Sequence, residues 1–145
     1  MTDLPSGWTR APLGEMVRPR NVRLSPRTRP DLAFLGMDNV EPHTMRILGT
    51  VPAESVKSSA AYFEPGDVLY GRLRPYLNKV ARPGFPGLAS AEFMVFPDTA
   101  HLRNSYLQYR LNSVDFVRFA SRLNTGDRPR VSFDQISDFQ FVLPP

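Results

Sequence analysis

Proline and glycine set the first limit on this chain. Its 15 Pro and 9 Gly cut most of it into segments of a few residues, which favours short strands joined by many loops over a helical bundle. One stretch escapes. From His101 to Leu123 there is neither residue, and Leu102, Tyr106, Tyr109, Val114, Phe116, Val117, Ala120 and Leu123 recur mainly at steps of three or four, the spacing of a helix face. Asn112-Ser113 in its middle is a good cap pair, so the spacing predicts two consecutive helices. Asn124-Thr125-Gly126 then offers a left-handed residue to close the second. The apolar load on that second helix argues for core packing rather than a helix-turn-helix reader. A length of 145 residues fits one compact domain, 1–145.

The remaining elements are short strands. Ala33-Phe34-Leu35-Gly36-Met37 followed by Asp38-Asn39 reads as a buried strand ending in a turn. In Glu64-Pro65-Gly66-Asp67 a fixed φ precedes a residue free to take a positive one, the requirement of a type II turn. Val68 to Leu73 then alternates, with Val68, Tyr70 and Arg72 on one face and Leu69, Gly71 and Leu73 on the other. Arg74-Pro75-Tyr76 breaks the pattern before Leu77 to Ala81 resumes it as a hairpin partner. Ala91 to Phe96 alternates again, Ala91, Phe93 and Val95 against Glu92, Met94 and Phe96. Ser132-Phe133-Asp134-Gln135 fits a capping box, and Phe139, Phe141 and Leu143 make a closing strand.

Charge points to a partner. The formal net charge is +4, and Lys occurs only at Lys57 and Lys79, so the basic excess is almost all Arg. The planar guanidinium fork fits phosphate oxygens and the guanine O6/N7 edge, which favours nucleic acid, although a modest positive charge also simply keeps a protein in solution. Three basic segments stand out. Arg18 to Pro30 holds five Arg and three Pro with few apolar residues, and reads as an exposed loop carrying Arg20 and Arg23. Tyr70 to Lys79 places Arg72, Arg74, Tyr76, Asn78 and Lys79 around a bend, with Gly71 permitting close backbone approach. Arg122 to Arg130 again mixes Arg with amides, in Asn124, Thr125, Arg128 and Arg130. Lys79 suits a phosphate; Arg74 and Arg128 suit base edges. The alternative for each segment is a solvated charged loop, and the nucleic-acid reading requires the guanidinium tips to converge on one concave surface.

Catalytic chemistry finds little footing. There is no Cys, and His43 and His101 stand far apart, which argues against a metal site built from side chains. Neither a phosphate-binding GxxxxGK[ST] loop, nor a GxGxxG fingerprint, nor a GxSxG elbow occurs, so no cofactor is expected. Two rivals stay open: a small metal-dependent nuclease using Glu54 and Asp67, and a protein-interaction module with merely solvated Arg loops. No run of ~18 apolar residues is present to span a membrane. The start of the chain lacks a basic-then-apolar signal, and with the missing Cys this favours the cytoplasm.

The order of these pieces resembles the target-recognition domain of type I restriction-modification specificity subunits. Leu4-Pro5-Ser6-Gly7-Trp8 followed by Pro12-Leu13-Gly14-Glu15 is similar to that family's opening. The most specific part is Glu64-Pro65-Gly66-Asp67-Val68-Leu69-Tyr70-Gly71-Arg72-Leu73-Arg74-Pro75-Tyr76-Leu77-Asn78-Lys79-Val80, which looks like its Gly-Asp strand and basic hairpin. Ala89-Ser90-Ala91-Glu92-Phe93, the helical pair around Leu111-Asn112-Ser113, and the exit from Val131 to Pro145 complete it. The resemblance implies an α+β domain with a curved, strand-rich DNA-facing part and helices packed behind it. It also implies non-catalytic, sequence-specific binding to one half of a split double-stranded DNA target, in company with methyltransferase modification subunits and the restriction subunit. The family normally continues past the final prolines into a long spacer helix and a second recognition domain, whereas this chain stops at Pro145.

Overall fold

The computed structural model describes residues 4–100 and 102–145. In chain order these form β1 (Thr9–Pro12), α1 (Leu13–Met16), β2 (Arg23–Leu24), β3 (Ala33–Leu35), β4 (Val51–Pro52), β5 (Ala60–Phe63), β6 (Val68–Gly71), β7 (Val80–Ala81), β8 (Gly87–Ala89) and β9 (Phe93–Phe96). Then follow α2 (Asn104–Leu111), α3 (Val114–Ser121), α4 (Phe133–Ile136) and β10 (Gln140–Leu143). The strands make a pair β1-β10, a five-stranded sheet β2-β5-β8-β3-β4 and a three-stranded sheet β7-β6-β9. All pairings are antiparallel except β3 with β8. The fold is α+β, as the family resemblance implies.

The three-stranded sheet is the middle layer, and its alternation explains why. Val68, Tyr70, Val80, Met94 and Phe96 point into a core shared with Leu107, Leu111, Phe116, Ala120 and Ile136 of the helices. Leu69, Ala81, Phe93 and Val95 point the other way, against Leu35, Val40, Ala61 and Phe63. Because both faces are covered, every residue of β6 and β9 is buried. Helices therefore pack behind one face, and the five-stranded sheet covers the other.

Local signals hold at most of the expected places. Gly66 takes φ +87° and the Asp67 amide donates to the Glu64 carbonyl at 3.1 Å, closing the turn that launches β6. The helical stretch breaks where expected, with the Ser113 hydroxyl accepting from the Phe116 amide to start α3. Ser132 and Gln135 form the reciprocal box that opens α4.

Two expectations need correction. Helix α3 ends at Ser121 with Arg122 still right-handed, so Gly126 at φ +111° belongs to the following loop rather than to the helix cap. The segment from Arg18 to Pro30 is not all loop. Arg23 and Leu24 pair with Ala61 and Ala60, and Pro26 is buried in a short 3-10 turn, because β5 leaves an edge that a two-residue strand can fill.

Candidate nucleic-acid interface

The basic hairpin and the later basic loop, about fifty residues apart in sequence, lie side by side. Beyond the end of β6 the Arg72 amide donates to the Glu92 carbonyl at 2.8 Å, and the Val131 amide donates to the Arg72 carbonyl at 3.1 Å. Leu73 bridges to Arg130, and the Arg74 amide donates to the Pro129 carbonyl at 2.7 Å. The chain then turns through the 3-10 segment Pro75–Leu77, flanked by Arg74 at φ 50° and Asn78 at φ 52°. Each backbone bond removes a degree of freedom from a long side chain's anchor, so the guanidinium groups start from fixed points.

Two hollows open around this junction. The first, about 400 Å³, has Phe93 and Phe133 among its apolar lining and Arg18, Arg20, Arg23 and Arg72 among its charged lining. The second, about 570 Å³, is lined by Asp38, Asn39, Arg74, Lys79, Glu92 and Arg128, among others. Along both strand ends the lining alternates. Arg72, Ala91 and Phe93 face the first hollow, and Leu73, Ser90 and Glu92 face the second. The tips therefore divide between two concavities on either side of these segments, where a single concave surface was expected.

The side chains singled out in the sequence fall into two groups. Arg23, Thr125 and Arg128 are exposed, Tyr76 is 48% exposed, and Arg72 and Arg74 are half-buried at the junction. Arg74 spends its Nε on the Asp127 carbonyl at 3.3 Å. The second group is engaged within the chain. Arg20 forks onto Asp67 at 3.0 and 3.2 Å, and that bond raises its pKa above the ordinary arginine value. Arg130 holds Glu92 through Nε at 2.8 and 3.1 Å. Lys79 donates its ammonium to the Met37 carbonyl at 2.7 Å, so the group expected to meet phosphate ties down a turn.

Asn78 and Asn124 also turn inward. Asn78 is 6% exposed and donates its amide to the Asn112 carbonyl, which fastens the hairpin to the break between α2 and α3. Asn124 exchanges both amide bonds with Gln135 at 2.9 and 3.0 Å and also donates to the Arg130 carbonyl, closing the base of the loop. Sequence reasoning left out Asp38, Asn39, Glu92 and Arg18 as site residues. No spacing marks them, since their place depends on contacts distant in the chain.

The proposed nuclease pair does not assemble. Asp67 is 3% exposed, and its oxygens accept from Arg20 and from the Glu64 amide, while Glu54 lies exposed in the Ala53–Ser55 turn. Among the described residues no three His, Cys, Asp or Glu side chains cluster as metal ligands. His43 is exposed, and His101 lies outside the described residues. No helix among the described residues is long and apolar enough to cross a membrane.

Comparison with known proteins gives the family context. No protein-family model matches the chain. It is 23% identical over 148 residues to the specificity subunit of the type I restriction enzyme EcoDI of Escherichia coli, covering 100% of this chain and 33% of that protein. Its fold superposes on the crystal structure of the HsdS subunit from Thermoanaerobacter tengcongensis with a TM-score of 0.82, at 23% identity, covering 99% of this chain and 40% of that one. A chain from a structural study of complex assembly in the type I R-M system matches with a TM-score of 0.81 at 24% identity, again over 100% of this chain and 40% of the other. The chain thus spans about a third of the curated relative's length. Along its whole length the chain is similar in sequence to one domain of a type I restriction-modification specificity subunit, and it shares the α+β fold of the matching part of the HsdS chain.

Proposed function

We propose that this domain binds double-stranded DNA in a sequence-specific manner without catalysing a reaction, and reads one half of a bipartite target for a type I restriction-modification methyltransferase. The observation that carries the reading is the pairing of the 72–74 and 129–131 segments, which sets Arg72, Arg74 and Arg128 around one junction flanked by two hollows. Arg23, Arg72, Arg74, Tyr76, Thr125 and Arg128 are the side chains for direct contact, with Arg74 and Arg128 at base edges. Arg20, Asn78, Lys79, Asn124 and Arg130 support the surface from within. Modification subunits and the restriction subunit are the protein partners, and the cytoplasm is the place of action.

If about 5 phosphates are neutralised, log affinity falls against log salt with a slope of about −4 to −5. Replacing Arg72 and Arg74 together by Ala lowers duplex affinity by about a hundredfold while the circular dichroism spectrum stays native. A flat salt dependence, or a double variant that binds as well as the parent, overturns the reading.

A further inference from the structure

The two hollows differ in the chemistry of their walls, and we infer that they divide the labour of duplex recognition. The hollow with Asp38, Asn39, Arg74 and Arg128 reads base edges, and the one rimmed by Arg18 and Arg23 grips the sugar-phosphate backbone. This rests on the DNA-binding reading and adds to it an acidic specificity determinant, Asp38.

Phosphate oxygens only accept hydrogen bonds, so a surface that grips them needs donors, and a carboxylate there repels. Base edges offer both kinds of group: guanine O6 and N7 accept, while the amino groups of cytosine and adenine donate. A reading surface therefore needs acceptors beside its donors. The first hollow meets the backbone requirement, because all its charged lining is arginine and Arg18 and Arg23 are exposed at its rim. The second meets the base requirement, because two carboxylates stand among its cations.

The carboxylates are not equivalent. Both Glu92 oxygens are taken by Arg130. Asp38 is exposed, and its carboxylate enters none of the hydrogen bonds or ion pairs found among the described residues. Next to it the Asn39 Oδ1 accepts from the Gly36 amide at 2.8 Å, and the Asn39 amide nitrogen enters none of the hydrogen bonds found among the described residues. Both sit on the short turn Met37–Asn39, which Lys79 ties to the hairpin through the Met37 carbonyl. An acceptor and a donor thus sit on one hydrogen-bonded turn that lines the same hollow as Arg74 and Arg128. A free carboxylate in such a place weakens binding to any polyanion, and accepting from a base amino group offsets that cost only on the right sequence.

The test takes the chain as wild type, as Asp38→Asn and as Arg18→Ala. Wild type first selects a duplex from a randomised library. Each protein is then titrated with that duplex and with a scrambled duplex of equal composition, over a range of salt. Asp38→Asn is expected to bind the scrambled duplex more tightly and to lose about tenfold in the selected-to-scrambled ratio. Arg18→Ala is expected to weaken both duplexes equally and to reduce the salt slope by about 0.9. Because Asp38 is exposed and the replacement is isosteric, the fold persists, and circular dichroism checks it. A ratio unmoved by Asp38→Asn, or moved by Arg18→Ala, overturns the division while DNA binding stands. Wild type that binds but selects nothing overturns it too, and wild type that does not bind removes the DNA reading itself.

Discussion

The rear of the molecule, where the helices meet β6 and β9, and the front, where the hairpin meets the 124–130 loop, are built on opposite principles. At the rear the backbone is regular and the contacts are apolar. The Phe116 ring meets Tyr70 at 5.6 Å and Phe139 at 5.0 Å, both nearly edge-on, and Arg110 lies over Phe139 and Phe141. At the front the backbone is irregular. Arg74 and Asn78 take positive φ on either side of the Pro75–Leu77 turn. A left-handed conformation costs a non-glycine residue roughly 1–2 kcal/mol. The rear offsets that cost, and the front gains side-chain positions that a regular strand or helix would not give.

Removing a rear contact tests this most severely. Phe116 is fully buried, and Phe116→Ala should lower unfolding stability by about 3–5 kcal/mol through lost transfer energy and the cavity left behind. Chemical denaturation measures it, and a loss below about 1 kcal/mol would mean that the rear does not carry the fold. A smaller effect is expected at the join between the two regions. Ser132 caps α4 while its partner Gln135 also clamps Asn124, so Ser132→Ala should cost about 1 kcal/mol. The same variant should loosen the 124–130 loop, seen as faster amide exchange at Val131. Unchanged exchange there would uncouple the cap from the loop.

The contrast also explains what could be read from the sequence. Rear elements announce themselves locally: the Pro-free and Gly-free helical stretch, the Ser113 break and the Ser132 box each need only a few neighbouring residues. Strands β5 and β8 gave no signal, because Ala60-Ala61-Tyr62-Phe63 and Gly87-Leu88-Ala89 are short and mostly buried, leaving no alternation to detect. Gly87 is small for a reason visible only in three dimensions, since a Cβ there would lie 2.6 Å from the Phe63 ring and 2.8 Å from the Ala33 carbonyl. At the front, composition located the basic segments but not their partners. Arg20 finds Asp67 across 47 residues, Lys79 finds Met37 across 42 and Asn78 finds Asn112 across 34, so no window along the chain could tell an inward amide or ammonium from an outward one.

Arg74 is where the two principles separate most finely. Its φ of 50° is strained for arginine and easy for glycine. In Arg74→Gly, relief of about 1–2 kcal/mol is set against about 0.5–1 kcal/mol for glycine's freedom in the unfolded chain and about 0.5 kcal/mol for the lost bond to Asp127. Stability should therefore change little, by between about −0.5 and +1 kcal/mol. Duplex affinity should instead fall about tenfold, because a guanidinium leaves the second hollow. The two readouts move apart only if the strain at this position is held for the sake of the side chain. A variant that loses both stability and binding would make Arg74 a structural residue, and the front would then differ from the rear in shape alone.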